Sequence, residues 1–168
     1  MTKALGPLYD VHFKRRRQNK TNYAKRLAFL KSGTTRLVVR KSNKFFYAQF
    51  VDYSEKGDKI ISSASSKELQ PYGFLGKCNT PSAYLTGFLA AKKALVKGVK
   101  NFNLDIGLHA ATKGSIVFAA LKGAVDAGLQ TSFDKEKLPT QDRISGKHLS
   151  EATQKQFNDA KTKLSELK

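Results

Sequence analysis

Apolar and polar positions change their spacing several times along this chain, and each change marks an element. Residues 1–13 (MTKALGPLYDVHF) contain Gly6-Pro7 and no period, which predicts an extended arm. Tyr23, Leu27 and Leu30 then recur at helical spacing, predicting a helix over about 22–31 with Thr21 as its N-cap and Gly33 breaking the chain after it. The period falls toward two in "RLVVRKSNKFFYAQFVDYSEKGDKIISSAS", where β-branched and aromatic runs predict three strands. Ser42-Asn43-Lys44 and Ser54 to Asp58 supply short turns, so the strands form an antiparallel meander. "SSKELQPYG" is turn-rich, with room for one helical turn.

The strongest helix follows at about 81–98, opened by Pro81 and ended at Gly98. Its apolar stripe is Tyr84, Leu85, Phe88, Leu89, Leu95 and Val96, with Lys93, Lys97 and Lys100 on the opposite side. "NFNLDIGLH" predicts a short buried strand, "AATKGS" a loop, and "IVFAALKGAVDAG" a second amphipathic helix stopped at Gly128. Strand, helix, strand, helix in that order requires a parallel crossover packed on the meander. From about residue 130 the chain turns polar, and a helix near 148–165 has only Leu149, Phe157, Ala160 and Leu164 as apolar positions. Such a sparse stripe predicts loose docking, or docking on a partner. The expected fold is α/β: a mixed sheet with packed helices, divided into a basic arm (1–20), a core (21–130) and a polar extension (131–168).

Charge changes this picture most. The chain has 31 Lys and Arg against 13 Asp and Glu, a net charge of +18. Residues 1–44 hold 13 of the cations and one acid, Asp10, so +12 of the +18 lies there and only +6 in the rest. A one-ended surplus that repels itself calls for a polyanionic partner: nucleic acid, an anionic membrane or an acidic protein. No apolar run approaches the roughly 18 residues of a membrane span, and the first residues lack the apolar core of a signal peptide. One cysteine, Cys78, makes no internal disulfide, which fits a reducing cytoplasm.

The residue types choose among the polyanions. In "HFKRRRQNKTNYAKRL" seven cations (Lys14, Arg15, Arg16, Arg17, Lys20, Lys25, Arg26) are interleaved with Asn19, Thr21, Asn22 and Tyr23. Arginine forks suit phosphate oxygens, and Asn and Tyr add hydrogen bonds and a stacking face. That combination suits single-stranded or looped RNA. A nuclear-import signal would not need the charge to continue through Arg36, Arg40, Lys41 and Lys44 into folded strands. "GLHAATKGS" nearly makes a phosphate-binding Walker loop, but its glycine and hydroxyl are out of register around Lys113. What remains is a strand leading into a small-residue loop, with Gly114-Ser115 opening a helix toward an anion and His109, Thr112 and Lys113 around it. The alternative is an ordinary loop capped by Ser115. His12, His109, His148 and Cys78 have no metal-ligand spacing, and Asp52, Asp58 and Asp105 do not cluster as a two-metal nuclease requires. Asp105 is expected to be a structural hydrogen-bonding residue. Among the aromatics of the second strand, alternation places Phe46 and Phe50 on one face and Phe45, Tyr47 and Tyr53 on the other, so half are core. A nucleic-acid enzyme and a DNA-binding chromatin protein are the competing readings.

Taken together, "FKRRRQNKTNYAKRL", "RLVVRKSNK", "TPSAYLTGFLAAKKAL", "LDIGLHAATKGSIVFAALKGAVDAGL" and "RISGKH", in this order, resemble the archaeal and eukaryotic branch of the large-subunit ribosomal protein family eighteen, called protein five in eukaryotes. The resemblance runs from about residue 7 to residue 150. It implies a ribonuclease H-like topology without nuclease function, no cofactor and no small-molecule substrate. It implies a place in the cytoplasmic ribosome and three kinds of partner: 5S rRNA, 23S rRNA and neighbouring large-subunit proteins. It also implies that Lys14 to Lys20 and Lys25-Arg26 form a 5S-binding arm and helix, with further RNA contacts at Arg40, Lys41, Asn43, Lys44 and His109 to Ser115. The lysine-rich last twenty or so residues depart from the family pattern.

Overall fold

A computed structural model describes residues 6–167. The first five residues of the expected arm, and Lys168, lie outside the described residues. Four strands form one sheet in the order β3-β2-β1-β4: β1 Arg36–Lys41, β2 Phe46–Asp52, β3 Lys59–Ser65 and β4 Asn103–Asp105. β1, β2 and β3 pair antiparallel, and β4 lies parallel beside β1, with Leu37 opposite Leu104. The meander and the crossover are as the pattern predicts.

Alternation then decides the faces. Leu37, Val39, Phe46, Ala48 and Phe50 are fully buried beneath the helices, while Tyr47 and Tyr53 are exposed. The two helices over this face are α3 (Thr80–Val96) and α4 (Ile116–Asp126). Asn79 caps α3 by accepting from the Ser82 amide, and Pro81 fits the first turn, where no intrahelical donor is needed. α3 is buried on nearly all sides rather than along one stripe, because the sheet, α4 and the C-terminal segment each cover part of it. Val96, expected in the stripe, is exposed at its end.

Several expectations need correction. The N-cap of the basic helix α2 (Tyr23–Lys31) is Asn22, whose side chain accepts from the Lys25 amide at 3.1 Å; Thr21 instead accepts from Arg15 Nε at 2.9 Å. α2 buries no residue, and Leu27 of its expected stripe faces solvent. Two of the lysines opposite the apolar stripe of α3 are engaged with neighbouring groups. Lys93 bonds Glu68 at 2.7 Å and the Ser63 carbonyl, and Lys97 bonds the Ile61 carbonyl, so both lie along the open edge of β3. The polar extension docks firmly. α5 (Gln141–Ser145) and α6 (Glu151–Ser165) bury Ile144, Phe157, Ala160 and Leu164 in the common core. A few apolar side chains suffice because α5 packs on α3 and α6 packs on both α3 and the 3₁₀ helix Ser66–Tyr72 that precedes it.

Candidate nucleic-acid interface

The basic N-terminal segment folds back on the sheet instead of trailing away. Lys14–Arg17 make a single helical turn, α1, and Asn19, at φ 50°, turns the chain toward α2. An asparagine tolerates this left-handed conformation better than most residues. α2 is then tied to the β2–β3 turn by Arg26, which holds Asp58 at 3.2 Å. Between α1–α2 on one side and the end of β4 on the other runs a cleft. Arg15, Lys20, Lys25, Arg26 and Arg40 line it with Thr21, Asn22, Phe29 and Gly107; among these and its other lining residues there is one acid, Asp105. Five cations about one acid make a local positive field with fixed forks in it.

Arg40 is the most constrained of the five. Its Nη1 donates to the Val39 carbonyl at 2.7 Å and to the Asp105 carbonyl at 3.0 Å. Its guanidinium lies so close to Gly107 that a Cβ there would stand 2.9 Å from Cζ. Gly107 also has φ 62°, a left-handed conformation that glycine adopts without strain. Beneath, Arg36 is 3% exposed, which removes it from the accessible charge expected of this strand. It lies 2.9 Å from the Asp58 carboxylate, a close ion pair without an aligned hydrogen bond, and 3.7 Å from Asp105. Asp105 is the structural residue expected of it: it also accepts from the Gly107 amide at 2.8 Å. Asp52, the remaining acid near the strands, accepts from Thr35 at 2.6 Å.

The other expected contacts distribute around this cleft. Arg16, Asn19 and Tyr23 share a second hollow with Leu108. Tyr23 gives part of its ring to Phe13, with centroids 5.1 Å apart, so only the remainder can stack on a base. Lys41 and Arg40 stand near enough to His109 that, after burial, their charges lower its pKa below the ordinary value. Lys41 likewise faces Cys78, whose thiol burial pushes up. Lys14, Arg17, Asn43 and Lys44 are exposed outside the cleft. The 112–115 loop stands apart. Lys113 pairs with Glu136 at 2.9 Å, and the Gly114 and Ser115 amides, expected to be free, donate to the Lys137 and Thr112 carbonyls. Ser115 is the N-cap of α4 by position, yet its hydroxyl makes no capping bond.

Sequence reasoning missed Arg36 and Asp58 as the base of this surface, together with Leu104, Ile106 and Leu108 on its far wall. The signal for the wall was present, since "LDIGL" follows a strand that pairs with β1. Nothing local announced Asp58, which lies in a solvent-facing turn in the sequence pattern. Among the described residues, no three His, Cys, Asp or Glu stand together to hold a metal, and no helix is long and apolar enough to cross a membrane.

An α/β domain that folds a cationic arm and helix over one end of its sheet has the surface of a polyanion-binding protein. Comparison with known proteins narrows this class. A family described as "Ribosomal large subunit proteins 60S L5, and 50S L18" matches residues 8–102 and 97–134. The chain is 49% identical over 162 residues to the large ribosomal subunit protein uL18 of Methanobrevibacter smithii, covering 96% of this chain and 84% of that one. It is also 49% identical over 148 residues to uL18 of Korarchaeum cryptofilum, covering 88% and 76%. The chain belongs to this ribosomal family. It is an RNA-binding protein of the large ribosomal subunit and works in translation, in the cytoplasmic ribosome.

Proposed function

We propose that the protein binds 5S rRNA and anchors it to 23S rRNA in the central protuberance of the large subunit, beside neighbouring ribosomal proteins. It acts as a structural adaptor without turnover. The observation that carries this reading is the cleft in which Arg15, Lys20, Lys25, Arg26 and Arg40 converge from three elements. A generic polycation needs no such convergence, because counterion release depends on how many phosphates are neutralised and not on where the cations sit. Fixed forks at fixed spacing suit a folded RNA whose phosphates have fixed positions. Residues 1–20 serve as the grasping arm, 21–130 as the binding core, and 131–168 as an extension that braces it. The antiparallel meander with a fourth strand parallel beside the first is in keeping with a ribonuclease H-like topology. The exposed end of β1 carries the cations Arg40 and Lys41 rather than the clustered carboxylates a nuclease would need.

The test is titration with a 5S rRNA transcript against excess transfer RNA at two salt concentrations. A preference for 5S rRNA that survives the higher salt is expected. Equal affinity for both RNAs, collapsing together as salt rises, would reduce the protein to a generic cation and favour the chromatin reading.

A further inference from the structure

Two of the acids lie where a polyanion-binding surface should least want them. Asp105 lines the cation-rich cleft, and Asp58 stands beneath Arg26 on its wall. Together they form an alternating row, Arg26–Asp58–Arg36–Asp105–Arg40, that runs from α2 across the sheet. The successive closest ion-pair distances are 3.2, 2.9, 3.7 and 3.5 Å. The middle arginine is buried and the two end arginines are exposed, 40% and 46% by side chain. So the row has a fixed centre and two ends that reach the cleft.

We propose that Asp58 and Asp105 are positioning residues for RNA binding: anchored on buried Arg36, they hold the Arg26 and Arg40 forks in the orientation in which RNA phosphates meet them. The proposal deepens the RNA reading above and rests on it. A long cationic side chain left free in solvent must be ordered when it binds, and that ordering weakens the complex. Arg40 has been ordered in advance. Asp105 holds it with both its carboxylate and its main-chain carbonyl, and Gly107 leaves the guanidinium room to lie flat. Two donors of the Arg40 guanidinium remain for a ligand after three are used on Val39 and Asp105, since the group carries five. Asp58 does the same for Arg26 and thereby fixes the distance between α2 and the sheet, which sets the width of the cleft.

The consequence runs against simple electrostatics. Asp105→Asn makes the protein one charge more positive, and a field-only binder would then hold RNA more tightly. Positioning predicts the reverse: about tenfold weaker binding of a 5S rRNA transcript, the scale expected when one specific arginine fork no longer meets its phosphate. Because Asp105→Asn deprives buried Arg36 of one of its two carboxylates, Arg36→Met/Asp105→Asn is the second variant. It removes the buried charge together with the acid, leaves the net charge unchanged, and is expected to be weakened as well. Asp58→Asn should weaken binding through Arg26.

The decisive readout is a double-mutant cycle with the full-length protein. If Asp105 acts through Arg40, Asp105→Asn adds little, within about twofold, to the weakening already caused by Arg40→Ala. The slope of log affinity against log salt should become shallower by about one in Arg40→Ala and no shallower in the double variant. Tighter or unchanged binding by Asp105→Asn and by the Arg36→Met/Asp105→Asn variant would overturn the proposal and leave the RNA reading standing. Full additivity with Arg40→Ala would do the same, since Asp105 would then matter only to the fold. A wild-type protein that failed to bind the transcript would overturn the RNA reading, and this proposal with it.

Discussion

His109 shows how a single side chain at this surface reports its surroundings. Half-buried beside Lys41 and Arg40, it resists protonation: burial first, then those two charges, lower its pKa below 6.5. The unfolded chain takes up the proton near that ordinary value, so over the interval below it the unfolded state binds more protons than the folded one. Stability from this group is therefore intact above about pH 6.5 and is lost as the pH falls through the lowered folded value. Melting temperatures followed from about pH 7 to about pH 5 should drop less steeply in His109→Gln than in the wild type. Identical slopes would mean that His109 does not feel the neighbouring cations. Tyr84 is the opposite kind of residue, buried and hydrogen-bonded to Asp126 at 2.8 Å, its hydroxyl pushed far up from its usual range by burial and by that carboxylate. It keeps its proton and serves the core.

Among the elements, α6 departs furthest from expectation. A helix with one lysine or polar residue after another reads as a surface segment, yet Phe157 is 2% exposed and its ring centroid lies 5.6 Å from that of Tyr84. Lys161 lies over the Tyr84 ring and Lys92 bonds the Ser165 carbonyl, so the polar residues also hold the helix down. Phe157→Ala should cost about 3–5 kcal/mol and raise hydrogen exchange throughout 151–165, measured by chemical denaturation and mass spectrometry. Leu149→Ala, by comparison, should stay within about 1 kcal/mol, because that side chain is largely exposed. Equal small effects would mean that α6 is only loosely attached. α2 behaves in the opposite way: helical by pattern, it buries nothing and owes its place to Asn22 and Arg26.

For the whole molecule, the closeness of α3 and α4 sets the thickness of the core. Gly87 of α3 faces Ala120 of α4, where an added Cβ would stand 2.2 Å from the Ala120 carbonyl oxygen. Gly123 of α4 faces Tyr84 of α3 in the same way, again at 2.2 Å. Glycine in a helix interior is unfavourable by about 1 kcal/mol, so two of them facing each other's backbones are there for close approach. Gly87→Ala should gain local helix propensity and still lose about 1–3 kcal/mol or more through overpacking, read as a fall in the denaturation midpoint. A stability equal to or above wild type would show that the helices can part without strain.

How much of this could be seen in advance follows from which interactions are local. Strand alternation in "RLVVRK" and "FFYAQFVD" fixes which side chains face inward, so Leu37, Phe46 and Phe50 fall in the core as the pattern requires. Pro81, Gly98 and Gly128 likewise mark helix ends through backbone conformation alone, and the charge imbalance points to a polyanion without any coordinates. What the chain could not announce depends on segments far apart in sequence. Arg36 looks like accessible charge until Asp58 and Asp105, 22 and 69 residues further on, neutralise it under α2. Lys93 and Lys97 line up on one side of a helix in the sequence, and only the fold brings them to the edge carbonyls of β3. The sequence determined the strands, the helices and the sign of the partner's charge; only tertiary structure decided which cations remain free to meet it, because pairing and burial are settled between elements that the chain brings together last.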